Sequence, residues 1–168
     1  MKSEELRSLQ APLKERYKKE PESAVITLKA SGNLGEGVTC KIDTGKALID
    51  AGLHPATGGD GFHICSGDLL LEALVACAGV TLNAVATSIG VNIRSGVVYA
   101  EGDLDFRGTL AVSKEAPVGF KDIRINFELD TDASEQALAD LLKLTKRYCV
   151  VYQTLLNSPQ IKTTINDK

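Results

Sequence analysis

The chain has 168 residues, enough for one domain with a sizeable core. Apolar residues at 43%, charged residues at 24% and a formal net charge of -3 are the profile of a soluble globular protein and exclude a disordered one. Basic residues gather only in the pairs Lys18-Lys19 and Lys146-Arg147, so no nucleic-acid partner and no anionic membrane surface is expected.

The N-terminus, MKSEELRSLQ, lacks the apolar segment of a secretory signal, and no stretch reaches the ~20 uncharged apolar residues that a membrane helix needs. A cytoplasmic location is the expectation. From Glu4 to Lys19, Leu6, Leu9, Leu13 and Tyr17 recur at spacings of three and four among charges, which predicts an amphipathic surface helix ending before Pro21. Residues 1–22 are thus expected to be a helical extension and 23–168 the main domain.

Ala24 to Ala30 (AVITLKA) and Val38 to Ile42 (VTCKI) are short, β-branched and roughly alternating, with SGNLGEG between them, which predicts a hairpin. In its second strand Cys40 shares a face with Val38 and Ile42. Gly52 to Ser66 carries Pro55 and glycines at 52, 58, 59 and 61, with Gly67 just beyond, and predicts a long ordered loop. Ser66 is placed to cap a helix from about Gly67 to Ile89, closed by Gly90.

That helix, which includes LLLEALVACAGVTL, is apolar nearly all round. Such a helix is central, covered on more than one side by its own chain or by a partner subunit. Two long alternating runs follow, with Val98, Ala100, Gly102, Leu104 and Phe106 in one and Ile123, Ile125, Phe127 and Leu129 in the other, and predict antiparallel strands. Asp132-Ala-Ser-Glu135 has capping-box spacing and opens a second helix whose apolar stripe includes Leu138, Leu141, Leu142, Thr145, Tyr148 and Cys149. Ile161 to Ile165 (IKTTI) predicts a last short strand.

The candidate chemistry lies in the cysteines at 40, 65, 77 and 149. None forms a C-x-x-C pair, and no Walker, dinucleotide or nucleophile-elbow motif is present. His63 and Cys65 stand two apart on an extended segment, and a zinc site would need Cys77 or Cys149 to complete it. The plainer reading is that Cys65 is a small buried apolar residue and His63 a loop residue. Asp68 and Glu72 are one turn apart on the central helix, about 180° and 140° around it from Cys77, so they cannot orient that thiol from their own helix. Cys77 on an apolar helix reads by composition as a packing residue with a raised thiol pKa.

The order of these features resembles the OsmC/Ohr family, named for osmotically inducible protein C and organic hydroperoxide resistance. The resemblance rests on GGDGFHICSG running into LLLEALVAC, with Ala76-Cys77 at its end, then two long strands, then a second helix ending in KRYCVVYQTL with Cys149. It spans about residues 24 to 165. It implies an α+β fold with antiparallel sheets wrapped around a long central helix in an intertwined homodimer. It also implies a thiol peroxidase that needs no cofactor and no metal: Cys77 attacks an organic hydroperoxide or hydrogen peroxide, Cys149 resolves the sulfenic acid, and an external dithiol reduces the disulfide.

Three positions depart from the family pattern. Gly67 stands where a glutamate is usual, no arginine occurs between Arg16 and Arg94, and Val150 follows the second cysteine where proline is usual. Lys41, Lys146, Arg147, Arg7 and Arg16 are the cations available in place of the family arginine. Cys65, His63, Asp68, Glu72 and Arg147 are accessory candidates. The alternative is a catalytically inactive dimer of the same fold that holds a small apolar or thiol ligand.

Overall fold

The structure is a computed structural model that describes residues 2–5, 8, 11, 19, 31–34, 39–43, 48–111 and 113–167, with the first two strands given by their backbone. Of the expected N-terminal helix, residues 3–5, 8, 11 and 19 are helical, and the rest lies outside the described residues, as does AVITLKA. The expected boundary between an extension and a domain near residue 22 lies outside them too.

The first layer is a four-stranded sheet in the order β1 (Ser31–Leu34), β2 (Thr39–Asp43), β3 (Leu48–Gly52) and β4 (Ile64–Cys65). β1 and β2 pair antiparallel from Ser31↔Asp43 to Leu34↔Cys40. The hairpin therefore turns later than the sequence suggests: Ser-Gly-Asn-Leu is strand, because ladder hydrogen bonds override the turn preference of Gly and Asn. β3 was not anticipated. It pairs antiparallel with β2 and parallel with β4, where Gly52 faces Cys65.

Between β3 and β4 the expected long loop is present and internally tied. His54 caps a turn at Pro55–Thr57, its Nδ1 accepting the Ala56 N–H at 3.0 Å, and Gly58 leaves that turn at φ +93°, where glycine carries no steric penalty. The Asp60 carboxylate accepts the Phe62 N–H at 2.9 Å. The parallel pairing holds Cys65 extended (φ -72°, ψ 136°), so Cys65 takes the N-cap position and the helix begins at Ser66 without a side-chain cap.

That helix, α1 (Ser66–Ile89), ends at Gly90 in the left-handed region (φ +76°), as expected. In one respect the reading needs correction: an 18-residue window of α1 has a mean hydropathy of 1.9, so by length and composition it could cross a membrane. Here it is a central helix. β5 (Ile93–Leu104) and helices α3 (Glu135–Tyr148) and α4 (Val150–Leu156) pack against it.

β5 pairs antiparallel with β6 (Phe120–Thr131) along nearly its whole length. Their alternation sends Val98, Ala100, Gly102 and Leu104, with Ile123, Ile125, Phe127 and Leu129, to the half-buried face. The outer face is charged, with Arg124 bridging Glu101, Asp103 and Asp122. The first alternating run ends sooner than predicted. Asp105 accepts the Arg107 N–H at 3.1 Å and starts a single helical turn, α2 (Phe106–Thr109).

α3 is capped by Ser134, which accepts the Ala137 N–H at 3.3 Å, rather than by Asp132. The chain stays extended through Thr131, whose hydroxyl accepts the Ala133 N–H, and that delays the helix. Leu82, Val85 and Ala86 of α1 and Leu141 of α3 form the core cluster. Residues 157–167 form no strand, and Ile161 and Ile165 are 81% and 98% exposed. A strand needs an edge to pair with, and among the described residues that segment meets none.

Candidate active site

Two cysteines meet where α1, α3 and α4 converge. Cys77 lies half-buried in the middle of α1, and Cys149 is 1% exposed. Cys149 is also a joint: it is the C-cap of α3 and the N-cap of α4, and its extended ψ of 111° breaks what would otherwise be one helix. Its N–H still donates to Thr145 O at 2.9 Å, and its carbonyl accepts from the Gln153 N–H at 2.9 Å. The break turns the first amides of α4 toward α1, where helix geometry leaves them without an intrahelical partner.

Those amides find the Cys77 sulfur. Burial pushes the Cys77 thiol up, but the Val151 N–H, the Cys149 thiol, the Val150 N–H and the Thr81 hydroxyl all donate to it and together hold it below the usual cysteine range. Cys149 moves the other way. Burial pushes it up and the neighbouring Cys77 adds to that, against weaker opposition from the Tyr152 and Val151 amides. The pair therefore ionises unevenly: Cys77 is the more acidic of the two thiols, and Cys149 holds its proton longer and donates a hydrogen bond to Cys77.

This arrangement corrects the reading of Cys77 as an ordinary packing cysteine with a raised pKa. The donors are mainly backbone amides. One of them, at position 150, exists because that residue is Val, since a proline there has no N–H to give.

The other candidates lie elsewhere. Cys65 caps the start of α1, 12 residues before Cys77 (77 - 65), or about 18 Å along the axis. With His54, Gly67, Asp68, Phe106 and Phe120 it lines a separate small cavity of about 160 Å³. His63 packs on Gly52 and faces Asp60 at 3.4 Å, and no group of three or more metal-ligating side chains forms among the described residues. Asp68 and Glu72 flank an open groove with Leu71, Val75, Ala76 and Ala100. Arg147 lies over the Tyr148 ring at 5.6 Å and lines a cavity with Ile89 and Val91 at the far end of α1. Lys146 lies over the Tyr152 ring at 5.8 Å. Neither cation is among the groups that acidify Cys77. The side chains of Cys40 and Lys41 lie outside the described residues, as do those of Arg7 and Arg16.

Thr81 and the amides of Val150 and Val151 went unnoticed in the sequence. Thr81 carried a signal, a hydroxyl one turn beyond Cys77 on the same helix face.

At Gly67 a Cβ would make contacts of ordinary length. A Cβ there would meet the Phe120 ring at 3.4 Å, Leu104 at 3.5 Å and the Cys65 sulfur at 3.6 Å.

This architecture is shared with solved structures. An OsmC-like protein from Mycoplasma pneumoniae superposes with a TM-score of 0.66 at 18% identity, covering 79% of this chain and 89% of that one. An organic hydroperoxide resistance protein from Elizabethkingia anophelis gives 0.64 at 15% identity, over 80% and 91%. The organic hydroperoxide resistance protein OhrB of Bacillus subtilis gives 0.55 at 18%, over 80% and 94%. At these identities the likeness is one of fold. No curated protein matches by sequence. The family described as OsmC-like protein matches residues 58–164, more than half of the chain and the whole stretch from the glycine-rich loop through α4. With both cysteines inside that match and the α+β architecture in common, the chain belongs to the OsmC-like protein family.

Proposed function

We propose that the chain is a thiol-dependent peroxidase acting on organic hydroperoxides or hydrogen peroxide. The observation that carries this reading is the uneven pair: an acidified Cys77 beside a protonated, buried Cys149. A thiolate is the species that attacks a peroxide, and a second thiol in contact is what a sulfenic acid needs for closure to a disulfide.

In the first step the Cys77 thiolate attacks the outer peroxide oxygen. The O–O bond breaks, and with one proton taken up the products are Cys77 sulfenic acid and an alcohol, or water from hydrogen peroxide. In the second step Cys149 attacks the Cys77 sulfur, the S–O bond breaks and water leaves. An external dithiol then reduces the disulfide by exchange. The acidifying groups are the Val151 and Val150 amides, the Cys149 thiol and the Thr81 hydroxyl, which take the part expected of an arginine.

The reading includes a homodimer in the cytoplasm. Val80 on the central helix is 72% exposed in the single chain, and Leu70 and Ile89 are exposed as well, an apolar surface suited to a second copy.

The test is titration of free thiols before and after one equivalent of cumene hydroperoxide. Two thiols should disappear and a Cys77–Cys149 disulfide should appear on peptide mapping, while Cys77→Ser should consume no peroxide. Undiminished peroxide consumption by that variant sinks the proposal.

A further inference from the structure

Among the described residues one buried side-chain oxygen has no hydrogen-bond partner, the Thr145 hydroxyl. Thr145 is 1% exposed, as are Leu141 and Cys149, four residues to either side of it on the buried stripe of α3. A threonine inside a helix ordinarily turns its hydroxyl back to the carbonyl one turn earlier, here that of Leu141. Thr145 does not, although its own carbonyl is occupied by the Cys149 N–H at 2.9 Å. Leu141 packs on Leu82, Val85 and Ala86, while Cys149 meets Cys77, so α3 runs antiparallel to α1 and Thr145 lies midway between core and thiols. An unpaired hydroxyl at such a place destabilises the fold, and valine would fill the same volume without that cost.

We infer that Thr145 is a positioning residue for the resolving step, its hydroxyl donating to the Cys149 sulfur once that thiol becomes a nucleophile. In the reduced pair Cys149 stays protonated and donates a hydrogen bond to the Cys77 sulfur, which leaves Thr145 with no anion to serve. When Cys77 is held as a sulfenic acid or a mixed disulfide, no thiolate faces Cys149. Cys149 must then shed its proton in a buried site, and a donor one turn below on the same face is within reach of a side-chain rotation. The step balances. The Cys149–H and Cys77–SOH groups give one S–S bond and one water, or, from a mixed disulfide, one S–S bond, a released thiolate and a proton.

The inference rests on the peroxidase reading for the pairing of Cys77 with Cys149, but its test uses no peroxide. In a Cys40→Ser/Cys65→Ser background, 5,5′-dithiobis(2-nitrobenzoate) reacts first at Cys77 and releases one thionitrobenzoate; attack by Cys149 releases a second. Thr145→Val should leave the first release unchanged and slow the second about tenfold, the effect of one charge-assisted hydrogen bond, while the reduced variant melts at a higher temperature. Thr145→Ser, which keeps the hydroxyl, should restore the second rate. A second release at the unsubstituted rate in Thr145→Val overturns the inference. So does equal slowing in Thr145→Ser, which would mark a packing effect, and so does absence of a second release from the background protein. If peroxide consumes no thiols while the second release still depends on Thr145, the peroxidase reading alone fails.

Discussion

The backbone amide of Val150 donates to the sulfur of Cys77 across the contact between α4 and α1. Replacing Val150 by proline deletes that donor and leaves the φ of a first helical residue undisturbed. Cys77 should then titrate at higher pH, and its alkylation by iodoacetamide at pH 7 should slow by up to about tenfold, the worth of one hydrogen bond to a charged group. Stopped-time alkylation across pH gives both quantities. An unchanged profile in Val150→Pro would remove this amide from the account of the thiolate.

The pH dependence of the intact site has a definite sign. Only the thiolate reacts, and its pKa is depressed, so alkylation of Cys77 should rise with pH and level off below the range of an ordinary thiol. Cys149, raised by burial and by its neighbour, should label late and at higher pH. Differential alkylation read by peptide mass distinguishes the two, and the reverse order would contradict the assignment of roles.

Cys149→Ser should separate oxidation from resolution. Cys77 keeps the Val150 and Val151 amides and the Thr81 hydroxyl, so it should still be oxidised by peroxide, but no internal disulfide can form. The protein mass should rise by one oxygen and then by further oxygens as peroxide is added. A variant that gains no oxygen would show that Cys149 is needed for attack itself.

Leu141→Ala tests the support under the joint. Leu141 is 1% exposed and fastens α3 to Leu82, Val85 and Ala86. Truncation should cost roughly 2–5 kcal/mol in denaturant unfolding, and it should lower Cys77 reactivity, because Cys149 and the α4 amides hang from the end of α3. Arg147→Ala is the contrast. Its guanidinium lies on Tyr148 and lines a cavity at the far end of α1, so Cys77 alkylation should keep its rate.

Periodicity carried the reading of β5, β6 and α3, because each of these elements repeats its apolar residues at the spacing of the surface it buries; α1, apolar nearly all round, was read from its unbroken apolar run. Gly90 ended α1 for a reason visible in one letter, a left-handed cap. β3 stayed hidden because LIDAG is short and becomes strand only through its neighbours on both sides. IKTTI erred in the other direction: it has the residues of a strand but pairs with no edge among the described residues. Cys77 and Cys149 were found as a pair through resemblance, and the burial of Cys149 followed from its place on the α3 stripe. What acidifies Cys77 was hardest to read. A search for a cation looks at side chains, whereas two of the donors are amides that every non-proline residue carries, and only the break at Cys149 frees them.

Cys149, Val150 and Val151 are consecutive, so the strength of one thiol as an acid and the arrival of the other cannot be adjusted independently. Any movement that lifts the end of α3 from α1 withdraws both amides and the Cys149 thiol together and leaves Cys77 only the Thr81 hydroxyl of its own helix. A loosened molecule thus presents a weaker acid at Cys77, so the acidity of that thiol reports whether α3 and α4 are seated.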